Sequence, residues 1–251
     1  MKIILSPAKK MNHDDSTVGC LGLPVFLPEA EQILGWMQNQ SGEELQKLWA
    51  CSDKIAKDNL RRLSHMSLTG NLTPAILSFD GIAYQYMAPA VFEEGMLDYI
   101  QDHLRILSAF YGVLRPMDGV TPYRLEMQHK AKVGETSNLY QFWGDKLYRA
   151  VRDSDGVIVN LASKEYSRCI EKYLTLEDTF ITCTFAQEEK GRLMQKGVYC
   201  KMARGEMVRF MAERRIEDPA EMKEFRGLDY RFREEISTAG EYVFVREKTE
   251  K

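Results

Sequence analysis

The sequence predicts an α/β fold of the mixed α+β kind: a single domain over residues 1–251 with a mixed sheet flanked by helices. Segments of strand character alternate with helical segments along the whole chain, and no linker, low-complexity tract or internal repeat divides them. The last strand-like segments follow one another as in a hairpin, so we expect the sheet to be partly antiparallel.

The N-terminal half begins with a short apolar strand and continues mainly as helices. Ser41 precedes a run of helix-favouring residues and is a plausible N-cap. The predicted elements are a strand at MKIIL, a loop at 6–9, a helix over 29–39, two short helices within 41–66 joined at 52–56, a strand through 75–79 with a tight turn at Asp80-Gly81, and a long helix over 93–110.

The C-terminal half carries most of the predicted strands. VIVNLAS, after the turn residues Asp155-Gly156, has the clearest strand character in the chain and leads into a helix. The other predicted elements are strands at FITCTFAQ, GVYCKM and EYVFVRE, and a helix over 204–215.

Composition restricts the class of protein. The hydrophobic fraction of 44% and charged fraction of 28% are ordinary for a globular protein. There is no run of about 18 apolar residues and no signal-peptide pattern, so we expect no membrane partner. Five scattered cysteines without a CxxC motif indicate reduced thiols and a cytoplasmic location.

The net charge of −3 is unevenly distributed along the chain. Residues 196–215 contain six Lys or Arg against two Glu, and residues 103–132 contain five against two. Such segregation permits a basic face on a nearly neutral protein, although solvated faces without a ligand explain it equally well.

Two strand ends carry polar side chains that suit a binding site. MKIIL is followed by Ser6 and Lys9, and VIVNLAS carries Asn160 and Ser163 and is followed by Lys164. Ligands of α/β sheets bind beyond the carboxyl ends of the strands, so neighbouring strands would bring these groups into one cleft. The alternative is that the serines cap turns and the lysines are solvated.

Three further segments supply candidate phosphate-binding cations. At 100° per residue the predicted helix near the C-terminus places Lys201 and Arg204 beside a buried stripe, and guanidinium groups bind phosphate oxygens in bidentate fashion. Lys54 lies in the pair of short helices, which resembles a helix-hairpin-helix element but lacks its usual glycines. Arg115 and Arg124 lie in a proline-stiffened connection, where Arg124 could instead pair with Glu126.

No strong catalytic or cofactor motif is present. The chain lacks Walker A, GxGxxG, HExxH and GxSxG patterns, and its four histidines lack metal-ligand spacing, so we expect no cofactor and no metal site. His13-Asp14-Asp15 could hold a hard cation, but an exposed loop is the better explanation.

Several segments together resemble the YaaA family of bacterial peroxide-stress proteins. They occur in one order over nearly the whole chain: ILSPAKK, SDKIA, LSFDGIAYQ, HLRILSAFYGVLRPMDGVTPYRLEM, LYQFWGDKL, VIVNLASKEY, KMARGEMVRF and GEYVFVRE. The resemblance implies a cytoplasmic protein made under peroxide stress that limits damage from unincorporated iron. It also implies an α/β domain with a basic cleft, a helix-hairpin-helix element and affinity for duplex DNA.

Two functions follow as hypotheses. In the first, the protein binds duplex DNA, with phosphate contacts from Lys9, Lys54, Arg115, Arg124, Lys164, Lys201 and Arg204. In the second, it is an enzyme acting on a phosphate-bearing or damaged nucleic-acid substrate, with Lys9 or Lys164 as nucleophile or clamp and Glu126 or Glu165 as general acid or base. Direct binding of iron is a weaker third alternative.

Overall fold

The computed structural model describes residues 1–13 and 18–247. Its strands are β1 (Lys2–Leu5), β2 (Lys10–Met11), β3 (Thr73–Pro74), β4 (Phe79–Asp80), β5 (Leu104–Ser108), β6 (Gly112–Leu114), β7 (Gly119–Val120), β8 (Val157–Leu161), β9 (Thr179–Glu189), β10 (Arg192–Met194), β11 (Tyr230–Phe232) and β12 (Glu241–Arg246). Its α-helices are α1 (Leu27–Gln38), α2 (Gly42–Trp49), α3 (Asp53–Ser64), α4 (Ala75–Ser78), α5 (Ile82–Met87), α6 (Glu94–His103), α7 (Leu139–Trp143), α8 (Lys146–Val151), α9 (Lys164–Glu171) and α10 (Gly197–Arg214). Short 3-10 helices cover Pro89–Val91, Pro219–Glu224, Gly227–Asp229 and Glu234–Ile236.

The fold class predicted from the sequence is confirmed. Eight of the strands form one mixed sheet in the order β11-β12-β9-β8-β1-β5-β6, with β10 paired to β9. Strands β12, β9, β8, β1 and β5 are parallel to one another, whereas β6, β10 and β11 are antiparallel to their neighbours. The five parallel strands therefore all have their carboxyl ends at one edge of the sheet, and this edge positions the site described below.

The prediction of one long helix over 93–110 is wrong. Helix α6 ends at His103, and the chain passes directly into β5, which pairs in parallel with β1 at Ile3↔Leu104. Leu104, Ile106 and Leu107 are fully buried. A strand buried on both faces loses the alternation of polar and apolar residues that distinguishes it from a helix, so the apolar run was ambiguous.

Three shorter predictions are also wrong. GVYCKM is not a strand but the first turns of α10, and residues 75–78 form a turn of helix, which leaves only Phe79–Asp80 as strand. The joint between the two short helices lies at Ala50–Ser52, since Asp53 already begins α3. Ala50 has a φ of 44°, in the left-handed region that ends many helices.

Helix α10 packs against α5 at unusually short distance. A Cβ atom built on Gly205 would lie 2.0 Å from the carbonyl oxygen of Ala83, so only glycine permits this approach. Ala203, Met207 and Met211 are fully buried, as the helical periodicity predicts, and Phe210 is half-buried. The contact fixes the distance between two walls of the cleft described next.

None of the described helices is long and apolar enough to cross a membrane.

Candidate functional site

A cleft of about 380 Å³ opens at the carboxyl ends of β1 and β8. These strands are parallel neighbours with Leu5 beside Leu161, as the sequence argument required. The Ser163 backbone N–H donates to Ser6 Oγ at 2.8 Å, and the two hydroxyl oxygens lie 3.1 Å apart. The loops after both strands are thereby tied together and form the floor of the cleft.

Four other segments form the walls. They are the start of α5, the connection that follows β7, the first turn of α9 and one face of α10. Their contributions to the lining are residues 80–84, residues 123–126, Glu165 with Tyr166, and Lys201 with Arg204.

A buried carboxylate organises one wall. Glu126 is only 5% exposed, and its carboxylate lies 2.6 Å from Lys9 Nζ and 3.5 Å from Arg124 Nη2. Arg124 Nη1 also donates to the Lys9 carbonyl at 3.3 Å. One carboxylate thus holds two cations in place. Arg124 therefore pairs with Glu126, which was the alternative to a free Arg124 in the sequence analysis.

His129, which no pattern in the sequence singles out, completes this group. The Glu126 backbone N–H donates to His129 Nδ1 at 3.1 Å, so Nδ1 bears the lone pair and the neutral ring carries its proton on Nε2. Nε2 lies 3.7 Å from the Glu126 carboxylate. Burial lowers the pKa of His129, and the Glu126 charge opposes that shift.

Glu165, at the start of α9, is the second carboxyl group facing this group. Burial raises its pKa, a hydrogen bond at 3.2 Å from the Gln128 backbone N–H acts against that, and the nearby Glu126 charge raises it further. Lys9 lowers it. Of the carboxyl groups that line the cleft, Glu126 is thus ion-paired, whereas Glu165 retains a proton to higher pH than an ordinary glutamate.

Arg204 on α10 has no counter-charge among the described residues. Burial lowers the pKa of its guanidinium, and the groups that act against this are the thiols of Cys200 and Cys183. Within residues 1–13 and 18–247 the side chain makes no ion pair, and its Nε is buried without a hydrogen-bond acceptor. The Nε of Arg124 is also buried and unsatisfied. Each arginine that lines the cleft therefore has one buried N–H donor without an acceptor among the described residues.

The lining is electropositive overall. It contains five formal positive charges, Lys9, Lys10, Arg124, Lys201 and Arg204, against three carboxyl groups, Asp80, Glu126 and Glu165. Lys10 is neutralised by an ion pair with Asp80. An excess of two positive charges in a concave, partly apolar site favours an anionic ligand.

The structure brings four of the seven candidate residues into this cleft: Lys9, Arg124, Lys201 and Arg204. It separates the other three. Arg115 follows the antiparallel strand β6 and lies at the opposite edge of the sheet, in a different cavity with Arg105 and Asp118. Lys164 pairs with Glu171 on α9, and Lys54 is exposed in the first turn of α3.

No metal-binding cluster of three or more His, Cys, Asp or Glu side chains occurs in the described parts of the chain. Of the candidate cation loop, His13 is described, whereas Asp14 and Asp15 lie outside the described residues.

Replacing Lys9 with methionine should raise the pKa of Glu165, because the Lys9 charge lowers it. Carboxyl ¹³C NMR of the variant across a pH series measures this shift. Lys164→Met is the control, since its ammonium pairs with Glu171 outside the cleft. An unchanged Glu165 titration in Lys9→Met would contradict the arrangement described here.

Comparisons with known proteins place the chain among peroxide-stress proteins. A family model described as "Peroxide stress protein YaaA" matches residues 1–236. A protein of Agathobacter rectalis named "UPF0246 protein" is 56% identical over 246 residues, which cover 98% of this chain and 99% of that protein. A UPF0246 protein of Desulfitobacterium hafniense is 52% identical over 251 residues, 100% of both chains, and one of Lactiplantibacillus plantarum is 49% identical over 245 residues, 98% of this chain and 99% of that protein.

Proposed function

This chain belongs to the YaaA family of peroxide stress proteins, known also as UPF0246, and from that membership we propose that it is a cytoplasmic protein that binds duplex DNA through a basic surface around the cleft. By binding DNA it would limit the oxidative damage that unincorporated iron causes.

The observation that carries this proposal is the continuity between the cleft and helix α3. Arg62 of α3 and Arg124 of the cleft wall line one small cavity, so the two basic regions adjoin. Helix α3 also carries Lys54, Lys57 and Arg61, and within the described residues none of its four cations forms an ion pair. Unpaired cations on adjoining surfaces suit a ligand with regularly spaced phosphates.

The start of α3 supplies a second type of phosphate contact. Its N-cap, Ser52, makes no side-chain hydrogen bond to the helix, so the first-turn N–H groups are available. A helix N-terminus favours phosphate through these N–H groups and through the helix dipole. This is the role we propose for the α2–α3 pair, with its short connection Ala50–Ser52.

Protection from iron follows from counterion release. Ferrous ions condensed on DNA phosphates would react with peroxide at the DNA itself. A protein that neutralises several phosphates displaces the cations bound there. No iron site on the protein is required for this.

Duplex binding across a salt series tests the proposal. We expect log K to fall with log salt at about 0.9 per phosphate neutralised, and Arg62→Gln to reduce that slope by roughly one phosphate. Arg115→Gln is the matched control, since Arg115 lies at the opposite edge of the sheet. Affinity that does not respond to salt, or equal losses in the two variants, would contradict DNA binding by this surface.

Nicking of supercoiled plasmid by ferrous iron and peroxide tests the protective part. The wild-type protein should lower the nicking rate, and Arg62→Gln should protect less at equal concentration. Equal protection by Arg62→Gln at concentrations where it leaves the plasmid unbound would show that protection does not depend on binding.

An enzyme acting on a phosphate-bearing or damaged nucleic-acid substrate is the second candidate. It is favoured by two carboxyl groups of the cleft: Glu126, which is ion-paired with Lys9, and Glu165, whose pKa burial raises as a general acid requires. Substrate turnover that is lost in Glu165→Gln while substrate binding remains would support it. Absence of turnover across phosphorylated and damaged substrates would rule it out.

A further inference from the structure

Arg204 is a half-buried cation that lines the cleft. A buried charge is costly unless a partner and hydrogen bonds compensate it. Arg204 has neither an ion pair nor an acceptor for its buried Nε in the described chain, and the groups that act to raise its pKa are the thiols of Cys200 and Cys183. The missing partner is therefore an anion that enters the cleft which Arg204 lines.

Two further cations face the same space. Lys201 lies three residues before Arg204 on α10, hence on the same face of the helix, and it too lacks an ion pair within the described residues. Arg124, on the wall formed by residues 123–126, shares Glu126 with Lys9 and keeps its Nε unused. The cleft's excess of two positive charges matches a dianion.

The size and walls of the cleft describe the rest of the ligand. A volume of about 380 Å³ suits a small molecule. A double helix, whose major groove is itself wide enough to hold an α-helix, is too large to enter the cleft. Beside the cations the lining is apolar, from Pro7, Ala8, Ile82 and Leu125. Such walls suit a ligand with a non-polar body, and the guanidinium donors suit one strongly charged group on that ligand.

We propose that this cleft binds a single phosphate monoester, with its dianionic phosphate held by Arg204, Lys201 and Arg124 and its organic body against the apolar walls. A 5′-nucleotide has this chemistry, whether free or as the phosphorylated end of a DNA strand. The proposal rests on the proposed function only in using the same basic cleft. It differs in ligand, because duplex phosphates are diesters with one charge each.

Calorimetric titration of the full chain tests the proposal with adenosine 5′-monophosphate, inorganic phosphate and adenosine. We expect the monophosphate to bind, phosphate to bind more weakly, and adenosine not to bind. Arg204→Met should weaken monophosphate binding about tenfold or more, since it removes charge-assisted hydrogen bonds. Arg209→Met is the control on the same helix, because Arg209 pairs with Glu213 outside the cleft.

The same variants separate a ligand role from a structural role. Removing a guanidinium that stabilises the fold would lower the melting temperature. Removing one whose burial is not compensated removes a free-energy cost, so Arg204→Met should melt at or above the wild-type temperature. If that variant does not fold, the exposed Lys201 carries the test, and Lys201→Gln should weaken monophosphate binding several-fold. Monophosphate affinity unchanged in Arg204→Met or Lys201→Gln, or adenosine binding as tight as the monophosphate, would overturn the proposal.

Competition distinguishes the two sources of the monoester. A duplex with 5′-phosphate ends that displaces the nucleotide, beside a 5′-hydroxyl duplex that does not, assigns the site to strand ends. Displacement by neither assigns it to free nucleotides. Equal displacement by both would show that the cleft contacts backbone diesters, and would overturn the monoester. If duplex binding is lost in Arg62→Gln and retained in Arg204→Met, that result bears on duplex binding and not on the monoester site.

Discussion

Replacing Gly205 with alanine is expected to lower the free energy of unfolding by about 3 kcal/mol, although alanine is the better helix former. The added Cβ would lie 2.0 Å from the Ala83 carbonyl oxygen and 3.0 Å from the Met87 backbone nitrogen. Both neighbours are backbone atoms of α5, so no side chain can rotate away. The two helices must separate instead, and the buried residues between them lose contact.

The same substitution at Gly35 provides a matched control of opposite sign. Gly35 lies in α1, where no atom of the described residues stands within 4 Å of an added Cβ, so Gly35→Ala should stabilise the protein by about 0.5–1 kcal/mol. Urea denaturation of both variants gives the two values. Equal changes of the same sign would mean that propensity, not close packing of α10 on α5, determines the effect.

Gly205→Ala should also affect the cleft. Arg204 is the adjacent residue on α10, and Ala83 of α5 lines the opposite wall. Separating these helices by even a few tenths of an ångström displaces the guanidinium from the position the wall defines. Ligand binding should therefore weaken in the fraction of protein that remains folded.

The central part of the sheet could be predicted because local pattern and topology agree there. MKIIL and VIVNLAS are short apolar runs that end in polar loops. Ligands of α/β sheets bind at the carboxyl ends of the strands, so the ends of these two strands are expected to lie together. The hydroxyl contact between Ser6 and Ser163 is the outcome. On α10, helical periodicity separated the buried stripe from the cations by the same kind of local reasoning.

The errors arise where chain direction or tertiary pairing decides. Gly112, with a φ of 75°, turns the chain back after β5, and the antiparallel β6 then carries Arg115 to the opposite edge of the sheet. Nothing local in the sequence distinguishes that return from a connection that remains at the cleft. Lys164 follows the correct strand, but its partner, Glu171, lies on its own helix. His129 lies only three residues after Glu126, but no sequence pattern indicates that this turn brings its Nδ1 to the Glu126 backbone N–H.

Replacing Glu126 with glutamine should have two opposite effects, because one carboxylate both stabilises and neutralises the cleft. Glu126 is 5% exposed and holds Lys9 and Arg124, so its removal leaves two cations without their partner. We expect a loss of about 1–3 kcal/mol of unfolding free energy, below the value for a fully buried pair because Lys9 reaches solvent. Urea denaturation measures this.

Anion binding should change in the other direction. Without the Glu126 charge the positive excess of the lining rises by one, so the affinity for a phosphate monoester should increase while stability falls. The pKa of Glu165 should fall as well, because the Glu126 charge raises it in the native protein. Glu213→Gln is the control, since that residue pairs with Arg209 away from the cleft. If Glu126→Gln lowers stability and anion affinity together, Glu126 holds Arg124 in its binding position, and positioning outweighs charge. If anion affinity rises, the Glu126 carboxylate stabilises the cleft wall and at the same time lowers the affinity of the cleft for anions.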